Sequence, residues 1–193
     1  MDTNFSVKLG EVEFNLSELG PFLVEAKRNC YAGGGKELNL VGGVKRLTFQ
    51  RGKFHYTDEY AGWYRFNGTE KVRWRDEKGQ VLWQMAFSGG MTTEFTGDEQ
   101  LAKDTYAFLK HALNQVTSSK PFRGLEVSAV NNCRLIDTAH RGWTGLQNSG
   151  FEYFAFTEGD ITSFVGQEII RSDEKDERVV YRQHHTGGLI IPR

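Results

Sequence analysis

The sequence predicts an α+β fold: one helix plus an antiparallel β-meander, present twice, the two copies related by a pseudo-two-fold axis and sharing a core. Three observations lead there. The stretch 66–91 (FNGTEKVRWRDEKGQVLWQMAFSGGM) overlays 164–189 (FVGQEIIRSDEKDERVVYRQHHTGGL) without a gap. Identities fall at Phe66/Phe164, Gly68/Gly166, Glu70/Glu168, Arg73/Arg171, Val81/Val179, Gly89/Gly187 and Gly90/Gly188. That is seven in about 26 columns, where roughly two arise by chance, and a fixed offset is the mark of duplication. Second, a helical apolar stripe precedes each copy, and FLVEA (22–26) is echoed by FLKHA (108–112). Third, 22 glycines against 3 prolines suit tight turns between short strands. The reading is a single compact domain, 1–193, built of repeats at about 16–91 and about 96–190.

In chain order, residues 4–15 alternate loosely and predict one strand. Leu16, Leu19, Phe22, Leu23 and Ala26 recur at helical spacing, while Glu18, Glu25, Lys27 and Arg28 fall elsewhere. Pro21 belongs in a first turn, so the helix starts near Gly20. Asn29 and the glycines beyond it stop the helix. From Lys45 the period becomes two. LTFQ, FHYTDEY, WYRF, TEKVRWR and QVLWQMAF read as short strands punctuated by Gly52, Gly62, Gly68 and Gly79, an antiparallel meander. Glu70, Val72 and Trp74 share one strand face, and Lys71, Arg73 and Arg75 the wet one. Val81, Trp83, Met85 and Phe87 define a buried face.

In the second half, Thr96 with Glu99 forms a capping box. Leu101, Thr105, Phe108, Leu109, Ala112, Leu113 and Val116 mark a helical stripe. SSKPFRG (118–124) reads as a linker, LEVSAV and CRLID as strands, and RGWTGLQNSG (141–150) as a glycine-rich loop. FEYFAFT, DITSFVG, QEIIRS and RVVYRQHH form the second meander. The run RSDEKDER is a solvated turn before the last strand. Across the copies, Trp83, Met85 and Phe87 become Tyr181, Gln183 and His185. An apolar face thus turns polar, which requires either a polar pocket or an exposed strand end.

FLVEAKRNCYAGGG (22–35), the F-x-G-x-E segments at 66–70 and 164–168, and HTGGLI (185–190) together resemble an uncharacterised bacterial domain family. Members of that family share an AKRNTYAGGG-like motif, two similar meanders and a terminal HGGLI-like signature. The resemblance implies a domain of unknown function, occurring alone or behind the helix-turn-helix region of transcriptional regulators. It supplies no catalytic residues. Cys30 replaces the motif's usual Thr, residues 125–150 are longer and more irregular, and too few residues precede Phe22 for a helix-turn-helix.

Charge nearly cancels, with 24 basic and 25 acidic residues, so no basic footprint for direct nucleic-acid binding is present. No leader or membrane-spanning run is evident, and a cytoplasmic protein with reduced Cys30 and Cys133 is expected. His55, His111, His140, His184, His185 and the two cysteines show no metal-ligand spacing, and no metal or cofactor is expected. Cys30 at a helix C-terminus has its thiol pKa raised by the dipole, which argues against a nucleophile. CYAGGGK lacks the strand–loop–helix setting of a phosphate loop and reads as a helix stop. Glu70 and Glu168 have two readings: turn caps or surface partners of Arg73 and Arg171, or carboxylates facing a shared cleft with Asp58 and Tyr60 nearby, where mutual repulsion would make an acid/base pair.

The functional expectation is a non-enzymatic module binding a small molecule or effector. Its candidate site is Tyr31, Gly33, Gly34, Tyr56, Asp58, Tyr60, Glu70, Trp83, Glu168, Tyr181 and His185. The alternatives are an enzyme using Glu70, Asp58 or His185 as an acid/base pair and a protein-interaction or homodimerisation module.

Overall fold

The computed structural model describes residues 6–123, 143–148 and 150–192. Cys133, His140 and the strands read at LEVSAV and CRLID lie outside them. The rest is an α+β arrangement in which one face of a large antiparallel sheet carries both described helices.

The chain opens with a hairpin, β1 (Ser6–Leu9) and β2 (Val12–Asn15). One strand was expected here. Gly10 at φ +63° makes the turn that divides it, a conformation open to glycine. A 3₁₀ turn then leads into α1 (Leu19–Asn29), which stops at the expected Asn29. Lys27 is buried on the apolar stripe of α1, contrary to the expectation of a polar face, because it lies one and two helical repeats beyond Leu23 and Leu19.

Nine strands follow in the order β3-β4-β5-β6-β7-β11-β10-β9-β8, every neighbouring pair antiparallel. The first meander is β3 (Leu38–Asn39), β4 (Val44–Arg51), β5 (Phe54–Gly62), β6 (Arg65–Trp74) and β7 (Val81–Met91). The second is β8 (Trp143–Asn148), β9 (Phe151–Asp160), β10 (Ser163–Ser172) and β11 (Arg178–Leu189). Residues 143–148, expected as loop, are therefore an edge strand. WYRF and TEKVRWR are one strand, not two, and Gly166 likewise sits inside β10. Gly68 marks no turn. It leaves room for a ring, since a Cβ there would lie 2.4 Å from Phe87 and 2.6 Å from the Glu59 carbonyl oxygen. Gly68→Ala is expected to cost about 1–3 kcal/mol by overpacking, read from urea unfolding.

The halves meet where β7 pairs with β11. Trp83 lies opposite Leu189, Phe87 opposite His185 and Met91 opposite Tyr181. Bulges interrupt the ladders at Val72/Arg73 and at Ile170/Arg171. α1 packs on β4 and β5, and Phe22 meets Phe49 and Phe54 with ring centroids 5.9 and 5.1 Å apart. α2 (Glu99–Leu113) packs on β9 and buries Leu101, Thr105, Phe108, Leu109, Ala112 and Leu113 as its stripe predicts.

The cap of α2 is not the expected Thr96. Gly97 at φ +104° sets Thr96 outside the helix, and the Asp98 carboxylate accepts the Leu101 N–H at 3.0 Å. Asp98→Ala should lower the urea midpoint at unchanged slope.

After α2 the chain runs back along α1. The Arg28 guanidinium donates to the Asn114 and Val116 carbonyls at 3.3 and 3.1 Å. Residues 118–124 were expected to be a linker, but Phe122 and Arg123 are buried. Phe122 stacks on Phe164 at 4.3 Å. This delivers the Arg123 side chain to the middle of the sheet.

Candidate functional site

Alternation along the central strands puts a run of side chains on the helix-bearing face. β5 gives Phe54, Tyr56, Asp58 and Tyr60; β6 gives Phe66, Gly68, Glu70 and Val72; β7 gives Trp83, Met85 and Phe87; β11 gives Tyr181, Gln183 and His185. Between α1, α2 and this face lies a pocket of about 590 Å³, within the usual range of ligand sites.

Its walls are aromatic: Tyr31, Tyr60, Trp63, Phe66, Phe87 and Tyr106. Tyr106 donates to the Trp63 carbonyl at 2.7 Å and packs edge-on against Trp63 with centroids 5.0 Å apart. Burial pushes the Tyr106 hydroxyl up to about 12 and the Tyr31 hydroxyl upward as well, so both remain protonated. Gly34 and Gly35 form part of the lining. Gly33 does not line it and instead packs on the end of α1, where a Cβ would fall 1.7 Å from the Arg28 carbonyl oxygen. Lys45, Lys103 and Lys110 stand among the lining residues. Glu37 binds Lys45 at 2.9 Å and accepts the Tyr60 hydroxyl. Lys103 is held by Glu99 at 2.7 Å. Lys110 lies 4.9 Å over the Tyr31 ring and has no ion pair among the described residues.

The floor is a buried charge cluster. Glu70 and Glu168 are 2 % and 0 % exposed, so the surface reading of both carboxylates is overturned. Glu70 accepts from Lys27 and lies 3.6 Å from an Arg123 terminal nitrogen. Glu168 lies 3.9 Å from Arg123 Nε and accepts the Tyr153 hydroxyl at 2.6 Å. The Tyr181 hydroxyl is 3.1 Å from Glu168 and 2.9 Å from Gln183 Oε1. Burial works against the Arg123 charge, yet Glu168 and then Glu70 raise its pKa overall. For Lys27, burial outweighs Glu70 and lowers the pKa.

Asp58 faces Glu70 across β5 and β6. Burial, followed by repulsion from Glu70, pushes its carboxyl up to about 7. Cys30 is a free, buried thiol pushed up to about 12 by burial and then by Asp58 and Glu70. The direction expected from the helix end holds, but burial is its main cause.

Three buried polar atoms on residues lining the pocket have no hydrogen-bond partner among the described residues: Asp58 Oδ1, Arg123 Nε and Gln183 Nε2. Buried polar groups are normally paired; among the described residues His55 Nδ1, Thr105 Oγ1, Ser172 Oγ and His185 Nδ1, outside the pocket lining, share this state, and Arg123 Nε has the Glu168 carboxylate 3.9 Å away.

Of the expected site residues, Tyr31, Gly34, Tyr56, Asp58, Tyr60 and Glu70 line the pocket. Trp83 does not. Its indole N–H donates to the Ile161 carbonyl at 3.0 Å and its ring stacks on Phe164 in the core. Glu168 and Tyr181 support Arg123 and Gln183 without lining the pocket. His185 is also outside it, seated over Gly166, with Nε2 3.3 Å from Thr157 Oγ1. Burial, with Arg123 and Lys27 next, pushes His185 down to about 3. It lies beside the pocket, opposite the lining residue Phe87, without lining it.

Sequence reasoning missed Lys27, Arg123 and Gln183 as site residues. Among the described residues no group of three or more His, Cys, Asp or Glu is arranged to hold a metal ion. No described helix is long and apolar enough to cross a membrane.

The fold and pocket define an α+β protein with a single-sheet platform and an aromatic-walled cleft over a buried charge cluster. A family model described as a domain of unknown function (DUF5680) matches residues 58–134, a stretch that includes Asp58, Glu70 and Arg123. No curated protein and no solved structure gives a significant match.

Proposed function

We propose that the chain is a non-enzymatic module that binds a small molecule in the pocket between α1, α2 and the sheet. The observation that carries this is the pocket itself, with aromatic walls over a buried floor where Asp58 Oδ1 and Gln183 Nε2 have no hydrogen-bond partner among the described residues. Leaving each unpaired costs about 1–3 kcal/mol, a penalty that a matching ligand removes. Sensing an effector would also fit the resemblance to regulator-associated domains.

The test is a thermal-shift screen across metabolite classes with the wild type and Ala107→Trp. Ala107 is an exposed lining residue of α2, so a ring there blocks the opening without disturbing the core. At a hundredfold excess over Kd, stabilisation is about 2.7 kcal/mol, roughly 5–10 °C for a chain of this size. Ala107→Trp should abolish the shift at nearly unchanged basal Tm. A shift that survives the substitution, or no shift with any class, overturns the reading.

One observation favours a second reading, catalysis: an Asp58 carboxyl near 7 is poised for proton transfer. Turnover of a ligand found in the screen, lost in Asp58→Asn, would decide for it.

We infer further that the sheet descends from a duplicated meander. Several pairs of features support this, most of them at the offset of the sequence overlay. Val72/Arg73 and Ile170/Arg171 carry the two bulges. Gly68 sits under Phe87 as Gly166 sits under His185. Gly90 and Gly188 both take positive φ, at +126° and +151°. Tyr56 bonds Glu70 as Tyr153 bonds Glu168. Matched through the strand partners of those two glutamates, Asp58 stands where the second copy has Ala155. Gln183 stands where the first copy has Met85. The orphaned floor atoms on β5 and β11 arose where the copies diverged.

A further inference from the structure

We propose that the pocket captures a small aldehyde or ketone reversibly, as an imine on Lys27, with Asp58 as the acid that expels the carbonyl oxygen. This rests on the binding reading above and gives it a ligand class.

Lys27 occupies an unusual place for an amine. It is 4 % exposed, lies on the buried stripe of α1 and lines the pocket. Its surroundings are organised by one carboxylate. Glu70 accepts from the Lys27 ammonium and from the Tyr56 hydroxyl. Asp58 stands directly opposite Glu70 in the β5–β6 ladder, and side chains paired in this way have Cβ atoms about 5 Å apart. Tyr56, Asp58 and Glu70 all line the pocket as well, so the amine, its carboxylate and the second acid border the same cavity.

The nucleophile is the free amine, not the ammonium. Burial, the largest influence, and the Arg123 guanidinium both lower the Lys27 pKa against Glu70, which raises it. Desolvation and a cationic neighbour are the means by which a lysine is activated. Asp58, pushed up to about 7, keeps a proton to give near neutral pH, and its Oδ1 has no hydrogen-bond partner among the described residues.

The step balances within these groups. Lys27 passes a proton to Glu70, and its nitrogen adds to the carbonyl carbon. The π electrons move to oxygen, which takes that proton from Glu70. The nitrogen then gives Glu70 a second proton. Asp58 protonates the new hydroxyl, which leaves as water while the nitrogen lone pair forms C=N, and Glu70 hands its proton to Asp58. The carbonyl oxygen and two Lys27 protons thus depart as water. The positive charge stays on nitrogen beside Glu70, so the buried ion pair is conserved, where its loss would strand a charge. Hydrolysis reverses the capture.

The probe is 2,4-pentanedione, which condenses with an amine and settles as a conjugated enaminone absorbing in the near ultraviolet. Tryptic peptide masses should map the first adduct to Lys27, formed at least about tenfold faster than on the exposed Lys78, a factor that one unit of pKa supplies. Lys27→Arg keeps a cation beside Glu70 and should lose the fast adduct. Asp58→Asn should slow it about a hundredfold, the share of a general acid. Tm reports that both variants are folded, and the wild-type map needs neither of them.

A Lys27 that reacts no faster than Lys78, or a fast adduct that persists in Lys27→Arg, overturns the capture. An unchanged rate in Asp58→Asn overturns Asp58 as the acid. If the screen finds a ligand blocked by Ala107→Trp while Lys27 stays unmodified, Lys27 is only the ion-pair partner of Glu70 and the binding module stands. If no ligand is found and Lys27 stays unmodified, both fall.

Discussion

Arg123→Met is expected to destabilise the protein by about 3–5 kcal/mol, the cost of removing one partner from a buried ionic cluster. The guanidinium lies between Glu70 and Glu168 at 3.6 and 3.9 Å, and the exposure of both carboxylates is negligible. Without it, Glu168 keeps, among the described residues, only the Tyr153 and Tyr181 hydroxyls to offset its charge. Combining Arg123→Met with Glu168→Gln should recover more than half of the loss, because the orphaned charge goes with its partner. Urea unfolding of the single and double variants measures both. A loss below about 1 kcal/mol in the single variant would mean that the cluster is not held by this residue.

Asp58→Asn should do the opposite, and only at higher pH. The Asp58 carboxyl is raised from 3.8 to about 7 by burial and Glu70. A raised acid binds its proton more tightly folded than unfolded. The native state therefore holds more protons between about pH 4 and 7, and stability falls as pH rises through that window. Below it both states are protonated and nothing is lost. At about 1.4 kcal/mol per unit, the penalty at pH 8 is at most about 4 kcal/mol. The amide carries no charge to desolvate, so the variant should gain about 2–4 kcal/mol at pH 8 and almost nothing at pH 4. A gain independent of pH would refute the assignment.

Much of the fold was readable because hydrophobic period is a local signal. The α2 stripe, the buried face of β7 and the charged turn before β11 all stand where the pattern put them. The errors came from residues whose role depends on a distant partner. Gly68 looks like a turn residue until Phe87 is placed over it. Thr96 makes a good capping box until Gly97 redirects the chain.

The candidate site divides in the same way. Aromatic and acidic residues in phase along β5 and β6 were legible, whereas Trp83 and His185 share that face yet lie under core rings. Lys27 carried a usable signal, four residues beyond Leu23 and eight beyond Leu19 on the buried stripe. Arg123 carried none. One arginine in a Pro-Phe-Arg segment has no periodicity, and only the return of the chain along α1 brings it between the two glutamates.

The last strand has a kinetic consequence. Because β11 slots between β7 and β10, the sheet is joined by ladder contacts such as Trp83 with Leu189 and Met91 with Tyr181. Such links span about a hundred residues, and long-range pairing of this kind slows the search for the native state. Each meander can zip up through neighbouring hairpins, but until β11 arrives β7 and β10 each present an open edge to any passing strand.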